Sequence, residues 1–195
     1  MAATRILAIA GSLRKDSYNK KLLAIACAGA EAAGALVTLV DLNDYPLPFM
    51  NEDLEAESGV PEKAQALKAL MKEHDGFLIA SPEYNGSFSG VLKNAIDWCS
   101  RMEEGESVLA CFRGKNVALM ASSIGIGAGA RGLTQLRTLL SGIGCLILPT
   151  QVTIGKAGEA FDDNNQLLKP AQQNNATNLG AALVELCQKL AKNES

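Results

Sequence analysis

The chain has 195 residues, 48% of them apolar and 20% charged, with a formal net charge of −3. That length and balance suit one soluble, globular α/β unit with a real core, and not a disordered or fibrous chain. The slight acidic excess leaves no basic footprint for nucleic acid or an anionic membrane, no apolar run is long enough to span a bilayer, and the amino terminus lacks the pattern of a secretory signal.

In chain order, Arg5–Ala10 reads as the first strand. A polar stretch follows, Gly11-Ser12-Leu13-Arg14-Lys15-Asp16-Ser17-Tyr18-Asn19, and then a helix with Leu22, Leu23, Ala26, Cys27 and Ala30 on one face. Gly34 is a suitable stop for that helix. Further strands are expected at Leu36–Asp41 and at residues 77–81, 116–121 and 145–148. Their continuous apolar character suits a sheet covered on both faces. Residues 45–61 are long, acidic and irregular, and read as a solvated loop with a rim or subunit-contact role as the alternative. A second helix is expected to start at Pro61, a favoured first-turn residue. Another carries Leu92, Ala95, Ile96 and Trp98. A last one, from about Pro170, carries Ala176, Leu179, Leu183, Leu186, Cys187 and Leu190 at amphipathic spacing.

Five strands alternating with five helices imply right-handed crossovers and a flavodoxin-like, doubly wound α/β fold. The expected architecture is a three-layer sandwich around a five-stranded parallel sheet of order 2-1-3-4-5, formed by residues 1–195 as a single domain. Ligands of such sheets bind outside the carboxyl ends of the strands, at the switch point between strands one and three. The loops after those two strands therefore face one crevice.

The first of these loops has the chemistry of a phosphate cradle. The free N–H groups and positive dipole end of a helix start favour an anion. Ser12 and Ser17 add hydroxyls, Asn19 an amide and Arg14 a guanidinium, which meets phosphate oxygens bidentately. A dinucleotide's bridging pyrophosphate wants bare glycine, and only Gly11 is glycine here, so the donors suit a terminal monoester. The plainer reading is that Ser17 only caps the helix and Ser12 only turns the chain.

The second loop is Ser81-Pro82-Glu83-Tyr84-Asn85-Gly86-Ser87. Pro82 fixes one backbone angle and Gly86 permits a tight turn. Glu83, Tyr84 and Asn85 present backbone groups, a phenol and an amide to the edge of a flat heteroaromatic ring. An ordinary turn before a helix uses the same residues.

These stretches together resemble the NADPH-dependent FMN reductase family, whose flavodoxin-like members include bacterial quinone, azo-dye and chromate reductases. The resemblance rests on Gly11-Ser12-Leu13-Arg14 with Ser17 and Asn19, and on Pro82-Glu83-Tyr84-Asn85 with Ser87, Gly90 and Leu92-Lys93-Asn94-Ala95-Ile96-Asp97-Trp98. Ser122-Ser123 and the glycine-rich run to Arg131 give a third match. By that resemblance Ser12, Arg14, Ser17, Tyr18 and Asn19 hold the FMN phosphate, Pro82, Glu83, Tyr84 and Asn85 border the isoalloxazine, and Ser122, Ser123 and Gly125 close the other side. It implies an NAD(P)H oxidoreductase that passes hydride from NADPH, or NADH, to bound FMN and then to a quinone, azo, chromate or flavin acceptor in ping-pong turnover. It also implies a homodimer or homotetramer. FMN carries the difficult chemistry, so no catalytic side chain is named. The alternative is a flavodoxin-like electron carrier without its own nicotinamide site. Arg101, Arg113 and Arg131 are candidates for the adenosine-side phosphate of NADPH.

Other features are read structurally. Five scattered cysteines (Cys27, Cys99, Cys111, Cys145, Cys187), none in a C-x-x-C pair, suggest free thiols in a reducing cytoplasm. His74 reads as favourable electrostatics at a helix end. With one histidine and no cysteine pair, no metal site is expected. Gly127–Gly132 formally matches G-x-G-x-x-G but lacks the acid about 20 residues on, so it reads as a crevice wall. Asp162-Asp163-Asn164-Asn165 reads as a surface turn.

Overall fold

A computed structural model describes residues 3–192. The chain runs β1 (Arg5–Ala10), α1 (Tyr18–Ala32), β2 (Leu36–Asp41), α2 (Glu52–Ser58), α3 (Glu62–Glu73), β3 (Gly76–Ala80), β4 (Glu83–Tyr84), β5 (Ser87–Phe88), α4 (Gly90–Cys99), β6 (Asn116–Ser122), α5 (Ala130–Gly142), β7 (Leu146–Ile154) and α6 (Pro170–Ala191). The five long strands pair in parallel in the order β2-β1-β3-β6-β7. This is the expected 2-1-3-4-5 winding, with the switch point between β1 and β3.

Alternation along each strand divides the core in two. Ile6, Ala8, Leu78, Ala80, Ala118 and Met120 face α1 and α6. Leu7, Ile9, Phe77, Ile79, Val117 and Leu119 face α3, α4 and α5. Side chains buried on both faces explain why these strands read as unbroken apolar runs.

Two stretches differ from the expectation. β7 continues to Ile154, past the expected stop at residue 148. Val117 pairs with Ile147 and Leu119 with Gln151, so residues 148–150 bulge out around Pro149. A proline that cannot donate is tolerated there because β7 is an edge strand. Arg137 Nη2 donates to the freed Leu148 carbonyl at 2.8 Å. The acidic stretch 45–61 contains α2, where Asn51 accepts from the Asp53 N–H and Glu52, Asp53 and Glu55 complement the helix dipole. Trp98 Nε1 and Asn94 Nδ2 both donate to Pro48 O at 2.8 Å, fastening that stretch to α4. His74, read as favourable electrostatics at a helix end, is the C-cap residue of α3 and is buried. Its Nδ1 lies 2.6 Å from Leu70 O and therefore carries a proton, while Nε2 lies 2.8 Å from Thr38 Oγ1. It satisfies a last-turn carbonyl at the end of α3 and links that helix to β2.

A buried lysine holds the irregular stretch after α4. Lys68 donates to the carboxylates of Glu103 and Glu106 and to the Arg101 carbonyl. Hydrogen bonds from Lys68 and Lys72 hold the Glu106 carboxyl down to about 2. An ammonium so deeply placed is tolerated only when paired.

Helix α1 is set by α6 through small residues. A Cβ at Gly180 would fall 1.9 Å from the Ala26 carbonyl oxygen, and one at Gly29 would fall 2.0 Å from the Thr177 carbonyl oxygen. Both obstacles are backbone. In an exposed helix interior Gly→Ala gains about 1 kcal/mol. Gly180→Ala is expected to reverse that sign and cost about 1–3 kcal/mol by overpacking. Urea denaturation of the variant beside the parent checks it, and a stabilised variant would contradict the packing described.

Candidate active site

The loops after β1, β3 and β6 meet at the carboxyl edge of the sheet, and hydrogen bonds tie them together. Gly11 N–H donates to Ala80 O at 2.8 Å, and Ser89 Oγ donates to Gly11 O at 2.6 Å. Asn19 Nδ2 donates to Ser122 O at 2.9 Å while Ser122 N–H donates to Asn19 Oδ1 at 2.8 Å. The Asn19 amide thus copies a backbone partner and locks the first turn of α1 to the end of β6.

In the first loop Ser17 takes the N-cap position of α1 and its Oγ accepts from the Asn19 N–H at 3.2 Å. The first N–H groups of a helix have no intrahelical partner. Tyr18 and Lys20 lie in the first turn of α1, beside the loop. Ser12 and Ser17 are buried, and Arg14 is exposed with its Nη2 donating to Asp16 O at 2.6 Å. The Arg14 guanidinium lies 5.2 Å from the centre of the Tyr18 ring. Asn43, beyond the end of β2, braces the loop by donating to Leu13 O at 2.9 Å. Two hydroxyls, a guanidinium and open helix N–H groups are a donor set for a dianionic monoester.

The second loop is a hairpin. β4 and β5 pair through Glu83–Phe88 and Tyr84–Ser87, and Asn85 (φ 53°) with Gly86 (φ 81°) makes the turn. An Asn-Gly pair with both φ values positive is the favoured two-residue hairpin connection. Pro82 is buried and Tyr84 is 57% exposed. The Glu83 side chain turns away to α5. Its Oε1 accepts from Arg131 Nη2 at 2.7 Å and Nε at 3.0 Å, and its Oε2 accepts from the Arg131 and Gly132 N–H groups at 3.1 and 3.2 Å. Burial pushes the Glu83 carboxyl up, but these donors outweigh it and leave it below the usual carboxylate range. Glu83 therefore offers the crevice its backbone, and its side chain caps α5.

The third loop starts at buried Ser122. Ser123 N–H donates to Ile154 O at 2.9 Å, and Ser123 Oγ accepts from Gly125 N–H at 3.3 Å. Ile124 and Ile126 are 78% and 88% exposed. The glycine run ends at Gly129, the left-handed N-cap of α5, and forms a wall tied to the hairpin through Glu83 and Arg131.

The remaining candidates separate. Arg101 is ion-paired to Glu55 at 2.8 Å, and Arg131 to Glu83. Arg113 precedes β6 and so stands at the amino edge of the sheet, opposite the three loops. His74 precedes β3 and stands at that same edge. Burial raises all five thiols, Cys27 and Cys145 to about 12 and Cys111 and Cys187 to about 11, and Cys99 also upward. None is suited to act as a thiolate nucleophile. The residues that sequence reading passed over, Asn43 and Ser89, both act through partners distant in the chain. Only Ser89 carries a local sign, as the hydroxyl residue before a helix.

A flavodoxin-like sheet with three tied loops at its switch point defines a class of mononucleotide-binding α/β proteins. The profile of the NADPH-dependent FMN reductase family matches residues 4–159, and the chain belongs to that family. FMN is the cofactor and NAD(P)H the reductant of this oxidoreductase class. An NAD(P)H-dependent FMN reductase of Pseudomonas aeruginosa is 38% identical over 84% of this chain and 84% of its own length. A probable NADPH:quinone oxidoreductase of Oryza sativa is 39% identical over 69% of this chain, which spans only 63% of that relative. Among solved structures, the flavoenzyme NAD(P)H:(acceptor) oxidoreductase of Paracoccus denitrificans superposes with a TM-score of 0.80 at 28% identity, over 96% of this chain and 98% of that one.

Glu83→Gln is expected to cost about 0.5–2 kcal/mol near pH 7, the range for losing a helix cap. A carboxyl with a lowered folded-state value stabilises above its unfolded value near 4.5 and loses that contribution as pH falls through the folded value. The gap between parent and variant should therefore close below pH 4.5. Denaturation curves from pH 7 downward check this, and a gap independent of pH would contradict the cap.

Proposed function

We propose that the chain acts as one flavodoxin-like unit that reduces small acceptors (quinones, azo compounds, chromate or free flavin) with NADPH or NADH in ping-pong turnover. The observation that carries this reading is the seat at the start of α1. Its donors suit the terminal phosphate of a mononucleotide better than a bridging pyrophosphate, which wants close backbone approach at glycine. Ser12, Arg14 and Ser17, with the N–H groups of Tyr18 and Lys20, would hold the phosphate. Asn19 would keep the seat in register with the third loop.

Bound FMN supplies hydride acceptance and release. Pro82, Tyr84 and Asn85 border the ring with a rigid turn. Glu83 does so through its backbone, since its carboxylate is committed to α5. The Ser122, Ser123 and Gly125 backbone lies across from them. Backbone N–H groups at the Asn85–Gly86 turn are preorganised donors for negative charge on a ring edge, while those of Ser122, Ser123 and Gly125 are engaged within the protein. No side chain of the crevice has to move a proton. The only histidine lies at the far edge of the sheet and the thiols are held neutral, so the protein's part is binding, orientation and electrostatics. Exposed Tyr84, Ile124 and Ile126 beside the crevice suit flat, varied acceptors, and they suit a neighbouring subunit in a homodimer or homotetramer. Among the described residues no helix is long and apolar enough to cross a membrane. Five free thiols fit work in the reducing cytoplasm.

The test is steady-state oxidation of NADPH by the purified, FMN-loaded protein with a benzoquinone and no second protein. Sustained turnover with parallel double-reciprocal plots is expected. Absence of turnover, with full activity restored by a separate reductase, would instead make the chain an electron carrier.

A further inference from the structure

The loop after β7 carries a residue that the site has not yet absorbed. Phe161 and Tyr18 stack with ring centres 5.9 Å apart and planes 13° from parallel. The Arg14 guanidinium lies 5.2 Å from the Tyr18 ring centre, and Lys21 Nζ lies 5.8 and 5.9 Å from the Tyr18 and Phe161 centres. Phe161 is outside the family match, which ends at residue 159. It is nevertheless firmly held. Phe161 bridges Leu167 in antiparallel fashion, and Asp162 N–H donates to Gln166 O at 2.9 Å and Leu168 N–H to Ala160 O at 2.9 Å.

We propose that Phe161 is a positioning residue for the cofactor phosphate: it fixes the Tyr18 ring, and that ring fixes the Arg14 guanidinium. Arg14 is exposed and its long stem has much rotamer freedom to lose. A cation held over an aromatic face, with one N–H tied to Asp16 O, presents its remaining donors with less of that freedom left to lose. The Tyr18 ring supplies that face only while its own orientation is set, and an offset-stacked neighbour sets it. Phe161 also packs against the core around α1 and α6. A purely structural role would therefore weaken binding of the whole flavin, whereas the positioning role touches the phosphate alone.

This inference rests on the FMN reading above. The experiment titrates the full chain, freed of flavin, with FMN and with riboflavin, which lacks the phosphate. Phe161→Leu keeps apolar bulk and removes the ring. It should weaken FMN about three- to tenfold, the worth of one aromatic pair, and leave riboflavin unchanged. Phe161→Tyr should restore parental FMN affinity. In an Arg14→Ala background, Phe161→Leu should add nothing. Equal weakening of FMN and riboflavin, or a full Phe161→Leu effect without Arg14, would overturn the proposal. If Arg14→Ala removes the preference for FMN over riboflavin and Phe161→Leu does not, the positioning role fails and the phosphate seat stands. If Arg14→Ala leaves that preference intact, both fail.

Discussion

The paired hydrogen bonds between the Asn19 amide and the Ser122 backbone are the constraint on which the site depends. They join the helix that follows β1 to the loop that follows β6, across the position of β3. Both atoms of the amide are engaged and buried, so no water competes for them. With that link made, the Ser12–Ser17 loop and the glycine wall keep a fixed separation. The hairpin of β4 and β5 closes the third side through Ser89 on Gly11 and Glu83 on α5. A rigid, three-sided crevice is what positioning a flat cofactor demands, because chemistry carried by a cofactor leaves the protein mainly geometry to supply.

That crevice is held from below by packing. Gly29 and Gly180 bring α1 and α6 to backbone contact, so the axis of α1, and with it the direction of its N–H groups, is set by the last helix of the chain. On the other face, α4 starts at Ser89 and is pinned at its far end by Trp98 and Asn94 to Pro48. The carboxyl edge of the sheet therefore inherits its stiffness from both outer layers. The amino edge is used differently. His74, and Lys115 through its ammonium on the Lys72 and His74 carbonyls, fasten strands to helices there.

Most of this frame was legible because it is written locally. Apolar runs buried on both faces announce a parallel sheet, and helices between them force the winding order. Ser12, Arg14 and Ser17 advertise an anion seat because hydroxyl and guanidinium donors gather at a helix start. What stayed hidden depends on partners far along the chain. Asn19 looked like one more phosphate donor, yet its amide is spent on a residue 103 positions away. Glu83 looked like a ring neighbour, yet its carboxylate caps a helix 48 positions away. The last strand reads as residues 145–148, yet it runs on past Pro149 to Ile154, because a missing donor is harmless at an edge with a bulge, which topology alone decides. The acidic stretch hid α2 although Asn51 caps it locally, since its other support, Arg101, comes from beyond α4.

The most direct measurement is a crystal structure of the protein with FMN. The account predicts the phosphate within hydrogen-bonding distance of the Ser12 and Ser17 hydroxyls and the Arg14 guanidinium, and the ring lying between the Pro82–Asn85 turn and the Ser122–Gly125 backbone. Density for the flavin anywhere else, with the start of α1 turned away from its phosphate, would contradict it.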